Sequence, residues 1–194
     1  MADTAITRLS SAPWAAALIN DAKWIPTNMS SRLSKPTGED SFFAETLSTD
    51  RTIRAILTLR PSKEDDDDLA YKEIMTIVDL GAGLNGYPQI AHGGLVATLL
   101  DEVCGVLIVL NMENKVQRLR ALGRSSTTPD YLTAYLNTSY KKPVPTPGLL
   151  LCTAKIEQQQ QDGRKLYVRA TIEDGTGTIY TTGEAMFVRA TTRL

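Results

Sequence analysis

Residues 93–110 form the longest apolar stretch of the chain, and only Thr98, Asp101 and Glu102 interrupt it with polar side chains. A helix that is apolar on every side must be buried on every side. Crossing a bilayer takes roughly 20 apolar residues, and each carboxylate near the middle would add about 2.5–3.5 kcal/mol to the cost of insertion. The pattern therefore predicts a core helix wrapped by other elements and argues against a membrane span.

Alternating apolar and polar positions predict two strands before this helix and four after it. The segments are residues 53–59, 72–80, 131–140, 149–157, 164–173 and 178–189. Four aspartates at residues 65–68 separate the first two and predict a solvated hairpin loop, because like charges repel. In the third segment, alternation places Leu132 and Leu136 on one face and Thr133 on the other. The turns after Lys141 are too short for parallel crossovers, which predicts an antiparallel sheet.

Residues 1–35 are expected to form a helical lead-in, followed by one domain over residues 36–194. Ser11 is a candidate cap for a short helix that ends near Ile19. This segment would dock on the body through its large apolar side chains, Trp14, Leu18 and Trp24. The alternative is a lid over a substrate entrance.

These elements predict an α+β fold in which a single antiparallel sheet wraps around one long central helix, with a short N-terminal helical extension. Such a sheet leaves one strand edge open, so pairing of two copies edge to edge is its natural completion. A homodimer, or a dimer of such dimers, is therefore expected.

Composition excludes several classes of function. The 194 residues carry a formal net charge of −1, so no overall field favours nucleic acid or a membrane surface. Cys104 and Cys152 give neither a disulfide framework nor a metal-binding spacing, and a single histidine argues against a zinc site. No convincing secretory signal stands at the N-terminus, so a reduced, cytoplasmic setting is the default expectation.

A polar stretch follows the predicted helix at residues 111–128, where we expect a partly flexible connection. Four basic residues lie in it with no acid between them: Lys115, Arg118, Arg120 and Arg124. They are either solvated charges or a patch for a phosphorylated cofactor arm or an acidic carrier protein. Arg118 is the candidate substrate contact in this patch.

Asp101 is the strongest functional hint, because a carboxylate inside an apolar helix is costly unless something uses it. The start of the helix presents unpaired N–H groups and a positive dipole end, which suit a developing oxyanion. Gly93 and Gly94 lack a Cβ atom, so a ligand carbonyl could approach the backbone closely. Asp101 lies about 13 Å along the axis from His92, so only a site built from two subunits can combine the two features.

Two motifs resemble hotdog-fold thioesterases, the first those of the phenylacetyl-CoA thioesterase type and the second the animal members of the superfamily. One is His92-Gly93-Gly94 with Asp101 nine positions after the histidine, and the other is the stretch LTAYLNTSYKKP at residues 132–143. The resemblance covers roughly residues 72–190 and agrees with the predicted strand order. It implies the hotdog fold and an activity on thioesters.

The resemblance also implies roles for individual residues. The backbone N–H of Gly93 would polarise the thioester carbonyl, and Asp101 from across a dimer interface would act as nucleophile or general base. Thr133 would help to hold the attacking water, and His92 would orient the turn. From the residues alone, His92 and Thr133 also fit purely structural roles.

One position departs from the family pattern. Many members carry an Asn or His about six residues before the histidine, where this chain has Gly86, and the neighbouring Asn85 is the candidate replacement. The residues assigned to substrate binding are Asn85, Gly94, Glu102, Lys141, Lys142 and Arg118. Glu102 also fits an interface partner, and the two lysines also fit exposed charges at a strand end.

The sequence thus predicts an acyl thioesterase for an acyl-CoA or acyl-carrier-protein substrate, with no metal and no cofactor other than the coenzyme A of the substrate. One alternative is a hotdog-fold enzyme of a biosynthetic pathway that dehydrates, isomerises or cyclises an acyl or polyketide intermediate. Another is a module that binds acyl-CoA without turning it over.

Overall fold

The computed structural model describes residues 2–125 and 127–190. Within these ranges the chain forms three α-helices: α1 (Ala2–Leu9), α2 (Pro13–Ile19) and α3 (Gly93–Ala121). Its strands are β1 (Trp24–Thr27), β2 (Ile53–Pro61), β3 (Glu73–Leu80), β4 (Asn85–Tyr87), β5 (Ile90–Ala91), β6 (Tyr131–Tyr140), β7 (Gly148–Gln160), β8 (Lys165–Glu173) and β9 (Ile179–Arg189).

Seven of the described strands form one antiparallel sheet in the order β1-β2-β3-β7-β8-β9-β6, and β4 and β5 pair separately. All six predicted strands are present, and the antiparallel arrangement around a long helix is confirmed. The sequence pattern missed β1, β4 and β5, which are only two to four residues long. β1 comes from the predicted lead-in and forms one edge of the sheet, while β6 forms the other.

The sheet wraps around α3, whose buried side chains share one core with the inner faces of β3, β7, β8 and β9. Packing against the sheet therefore accounts for the apolar composition of this helix, which by length and hydropathy alone would also suit a membrane span.

The prediction of a flexible connection from residue 111 was wrong, because α3 continues to Ala121. The buried amide of Asn111 explains why a polar residue does not end the helix. Its Nδ2 donates to the carbonyl oxygens of Leu107 (2.9 Å) and Tyr71 (2.8 Å), and its Oδ1 accepts from the Tyr71 N–H (2.9 Å). A buried polar group is tolerated when its hydrogen bonds are made.

The added turns of α3 bring the basic stretch against the acidic loop between β2 and β3. Arg118 pairs with Glu64 (2.9 Å) and Lys115 with Asp68 (2.5 Å). The hydrogen bond from Arg118 is the largest cause that lowers the pKa of Glu64. The loop is thus held by ion pairs and is not simply a solvated hairpin.

The two helices of the lead-in dock on the sheet face opposite α3, as predicted for a docked segment, whereas its last residues, from Met29, cross to the side of α3. The two helices pack on the outer side chains of β2, β3 and β7 through an apolar cluster that includes Trp14, Leu18 and Trp24. Arg8 of α1 and Arg54 of β2 both pair with buried Asp79. The predicted cap was wrong: α2 begins after Ala12, without a side-chain cap from Ser11.

Candidate functional site

The start of α3 is a turn held by the His92 side chain and two glycines. His92 is the N-cap residue, and its Nδ1 accepts a hydrogen bond from the Gly94 N–H at 3.0 Å. A Cβ atom on Gly94 would lie 3.1 Å from that Nδ1, and one on Gly86 would lie 2.9 Å from the Cα atom of His92. The histidine therefore has a capping function, and the glycines provide the room for it.

Capping by His92 leaves one backbone donor unused at this turn. Gly93 is the first residue of α3, and its N–H donates to no group within residues 2–125 and 127–190. The hydroxyl of Tyr140 donates to the Gly93 carbonyl at 2.8 Å, which ties the turn to the end of β6. The Gly93 N–H therefore stands at the positive end of the helix dipole as a free donor.

Asp101 lies eight residues, or a little over two turns, beyond Gly93 along α3 and next to β6. The Thr133 hydroxyl donates to its Oδ1 at 2.9 Å. Both residues line a cavity of about 540 Å³, together with Ala97, Thr98 and Leu136. Asp101 and Thr133, to which the resemblance assigns roles in one reaction, are thus in contact within one chain.

A β-bulge in β6 makes this contact possible. Thr133 pairs with Phe187 of β9 and Tyr135 pairs with Met186, so that Ala134 is the extra residue. Because Phe187 and the Leu136 partner Ala185 both belong to the core around α3, Thr133 and Leu136 face the helix together. The prediction that strict alternation places them on opposite faces was wrong, since it cannot register an inserted residue.

A segment made of the end of the predicted lead-in and the residues that follow it covers the other side of this cavity. We call residues 29–47 the cover segment; it contains short helical turns at Ser30–Arg32 and Phe42–Thr46. Met29 and Leu47 anchor it in the core, and its Ser31, Asp40, Phe42 and Phe43 line the cavity. No apolar periodicity marks these residues, so sequence reasoning missed them.

Glu102 fastens the cover segment to α3. Its carboxylate pairs with Arg32, whose guanidinium carbon also lies 5.0 Å from the centre of the Phe43 ring. Burial raises the pKa of Glu102, and the neighbouring Arg32 opposes that rise. Glu102 lines the cavity, where its carboxylate is paired with Arg32. Its assignment to substrate binding stays a prediction.

Gly93 lines a second cavity, of about 390 Å³. Lys141 and Lys142 line it as predicted substrate contacts would, and Tyr87 and Tyr140 line it as well. Asn85 is not among the residues that line it, and its Oδ1 accepts a hydrogen bond from the Thr146 hydroxyl. Tyr87, which is 74% exposed, lines the cavity and was not among the predicted site residues.

Within one chain the two halves of the predicted site remain apart, since Asp101 and Gly93 lie in different cavities. Arg118 lies 17 residues beyond Asp101, or about 25 Å along α3, and its guanidinium is bound by Glu64. Its predicted contact with the substrate stays a prediction. A substrate phosphate would have to compete with Glu64 for the Arg118 guanidinium.

Neither cysteine lines the two cavities or is suited to act as a nucleophile. Burial raises the pKa of both cysteine thiols, that of Cys152 to about 12, so neither is a thiolate near neutral pH. In the part of the chain that the structure describes, no group of three or more His, Cys, Asp and Glu side chains could hold a metal ion.

Comparisons with known proteins agree with the motifs. The family model of the thioesterase superfamily matches residues 88–180, a range that contains the Gly93 turn, Asp101 and Thr133. The acyl-coenzyme A thioesterase THEM4 of Mus musculus is 29% identical over 119 residues, which are 61% of this chain and 44% of that protein. The chain therefore spans less than half the length of the mouse thioesterase.

A second relative matches over more of its length. Verlamelin biosynthesis protein B of a Lecanicillium species is 26% identical over 168 residues, covering 78% of this chain and 73% of that protein.

Among solved structures, smu.793 of Streptococcus mutans, determined with bound acetyl CoA, superposes with a TM-score of 0.50 at 15% identity. The match covers 63% of this chain and 85% of that chain, and it supports the fold alone. The sheet around α3, the two motifs and the family match agree with one another: the chain has the hotdog fold, and its residues 88–180 are similar to the thioesterase superfamily.

Proposed function

We propose that this protein is an acyl thioesterase that hydrolyses an acyl-CoA or acyl-carrier-protein thioester at a site shared by two subunits. The single observation that carries the proposal is the Asp101 carboxylate, which accepts a hydrogen bond from Thr133 in a cavity that adjoins the open edge strand β6. The name of the mouse relative supports acyl-CoA as the substrate class.

Antiparallel pairing of β6 with its copy would unite the two half-sites. If the two-fold axis passes near the middle of the strand, Thr133 of one subunit lies opposite residue 138 of the other. The Tyr140 end of the second copy, which is bonded to its Gly93, would then be about two residues, or roughly 7 Å, away. Asp101 of one subunit would therefore meet the Gly93 turn of the other.

In this arrangement the thioester carbonyl oxygen would accept a hydrogen bond from the free Gly93 N–H, which would stabilise the oxyanion that forms during attack. Asp101 would either attack the carbonyl carbon, giving an anhydride that water opens, or take a proton from a water that attacks. In both routes the thiol leaves with a proton, and the net reaction turns a thioester and water into a carboxylic acid and a thiol. Lys141 and Lys142 stand where they could bind the phosphates of coenzyme A.

Substitution of the carboxylate tests the proposal. We expect Asp101→Asn to abolish thiol release across a panel of acyl-CoA substrates, because an amide is neither a base nor a nucleophile at neutral pH. The variant should keep its fold, since the amide oxygen can still accept from Thr133. Thr133→Ser, which retains the hydroxyl, is the matched control and should keep most of the activity. Unchanged turnover in Asp101→Asn would remove this mechanism.

A second candidate function is favoured by one observation, the Lecanicillium relative, which covers more of both chains than the mouse enzyme and is named as a biosynthesis protein. The same cavities could serve a non-hydrolytic step on an acyl intermediate of a pathway. An acyl-CoA panel that is bound without release of thiol would favour this candidate over hydrolysis.

A further inference from the structure

The carbonyl oxygen of a thioester under attack gains negative charge and has lone pairs for more than one hydrogen bond. The free Gly93 N–H would provide one donor at the second cavity. Tyr87 and Tyr140 line the same cavity, and their hydroxyl groups are its neutral side-chain donors. The two hydroxyls differ in what they bind.

One hydroxyl is engaged and the other is free. The Tyr140 hydroxyl donates to the Gly93 carbonyl oxygen at 2.8 Å, so it serves to hold the turn. The Tyr87 hydroxyl makes no hydrogen bond to any group within residues 2–125 and 127–190. Most of the Tyr87 side chain is exposed, which leaves this donor available at the cavity.

The loop that carries Tyr87 packs against the start of α3. A Cβ atom on Gly86 would lie 2.9 Å from the Cα atom of His92, so the two backbones are in contact. Because consecutive Cα atoms are 3.8 Å apart, the Cα atom of Tyr87 lies no more than about 8 Å from that of His92. A tyrosine side chain can span most of that distance, and the Gly93 N–H follows His92 directly.

The opposite side of this loop is tied to the chain that follows β6. The Ala91 N–H donates to the Val144 carbonyl oxygen at 2.9 Å, and the Thr146 N–H donates to that of Gln89 at 3.1 Å. Tyr87 itself belongs to the pair of short strands β4 and β5. A donor lowers a barrier most when it is held in place before the reaction, and the backbone of Tyr87 is held on both sides.

We infer that Tyr87 is a further catalytic residue, whose hydroxyl donates a hydrogen bond to the same thioester oxygen that the Gly93 N–H binds. The inference rests on the proposed function, since the oxyanion forms only if the chain hydrolyses a thioester. Tyr87 forms no covalent bond and keeps its proton, so the overall reaction is unchanged. Its hydrogen bond strengthens as charge develops on the oxygen, which lowers the barrier.

Tyr87→Phe tests this role, because it removes the hydroxyl and keeps the ring. In thiol release by the full-length chain on the acyl-CoA panel, we expect kcat to fall about 10²-fold while KM stays within about twofold. Tyr167→Phe is the matched control: its hydroxyl donates to Gln160 at 3.3 Å and lies outside both cavities. The control should keep the kcat of wild type.

Tyr87→Ala and a shorter substrate separate the hydroxyl from the ring. Tyr87→Ala lacks both groups, so its kcat should fall about as far as that of Tyr87→Phe. An acyl thioester of N-acetylcysteamine has no nucleotide for the ring to contact. Tyr87→Phe should lose kcat/KM on this substrate by the same factor as on acyl-CoA.

Four results would overturn the inference. An unchanged kcat in Tyr87→Phe beside an active wild type would remove the donor and leave the proposed function standing. A raised KM in Tyr87→Ala alone, or a loss confined to acyl-CoA, would assign the ring to binding of coenzyme A. A changed oligomeric state of Tyr87→Phe in light scattering would assign the hydroxyl to the contact between copies. A wild type that releases no thiol from any substrate would remove the proposed function together with the inference.

Discussion

Among single residues, Gly93 and Gly94 at the start of α3 are adjacent in sequence, but their backbone N–H groups have different surroundings. The Gly94 N–H is taken by the His92 side chain, whereas the Gly93 N–H keeps no partner within the described part of the chain. Because His92 occupies the Gly94 N–H, the Gly93 N–H is the donor left at this helix end to bind an oxyanion. It also means that Gly93 can be tested separately from the cap.

Gly93→Pro should remove the donor without breaking the helix. Proline is favoured at the first position of a helix, and His92 already has φ −60° and ψ 132°, the extended conformation that a residue before proline requires. The nearest atom to a Cβ on Gly93 is 3.7 Å away, so a side chain that begins there makes no close contact at its Cβ atom. We expect kcat to fall about 10²- to 10³-fold, measured by thiol release.

Gly93→Ala is the matched control, since it adds a Cβ atom and keeps the N–H. Its activity should stay close to that of wild type. Equal losses in both variants would indicate that bulk at the turn matters and that the N–H does not.

At the scale of elements, β6 and α3 show what sequence patterning can and cannot predict. The six longer strands and the position of the core helix follow from periodicity, because each has one or both faces in the core. The bulge at Ala134 cannot be predicted from periodicity, because a single inserted residue reverses the alternation of faces. Strict alternation therefore places Thr133 on the wrong face of β6. The cover segment has no periodicity at all, and only the fold brings it to Asp101.

The apolar pattern underestimates the length of α3 for a similar reason, and Asn111 allows a direct test. Asn111→Ala would leave the buried N–H and carbonyl groups of Tyr71 without their partner, at about 1–3 kcal/mol for each group. We expect a corresponding loss in the free energy of unfolding, measured by urea denaturation. Asn114→Ala, which breaks one hydrogen bond to Glu64 on the partly exposed side of α3, should cost less than about 0.5 kcal/mol. Similar losses in the two variants would contradict the role of Asn111.

At the scale of the whole molecule, the two half-sites belong to one reaction only if two copies assemble. Large apolar side chains on the open edge strand support such an assembly, for Leu132 is 48% exposed and Tyr135 is 40% exposed. Within one chain Gly93 and Asp101 lie in separate cavities. A second subunit would bring its own Gly93 next to Asp101 of the first. The spacing of the two residues along the chain is enough to predict this separation, because the rise of a helix per residue is fixed.

Mixing two inactive variants should restore activity if the site is shared. In a heterodimer of Asp101→Asn and Gly93→Pro subunits, one site carries both substitutions and the other carries neither. Random exchange of equal amounts makes about half of the dimers mixed, each with one intact site of two, so thiol release should recover to about a quarter of the wild-type rate. Each variant mixed with itself is the control and should stay inactive. If each site lay within one chain, every site in the mixture would keep one defect, and no recovery would be seen after subunit exchange verified by native mass spectrometry.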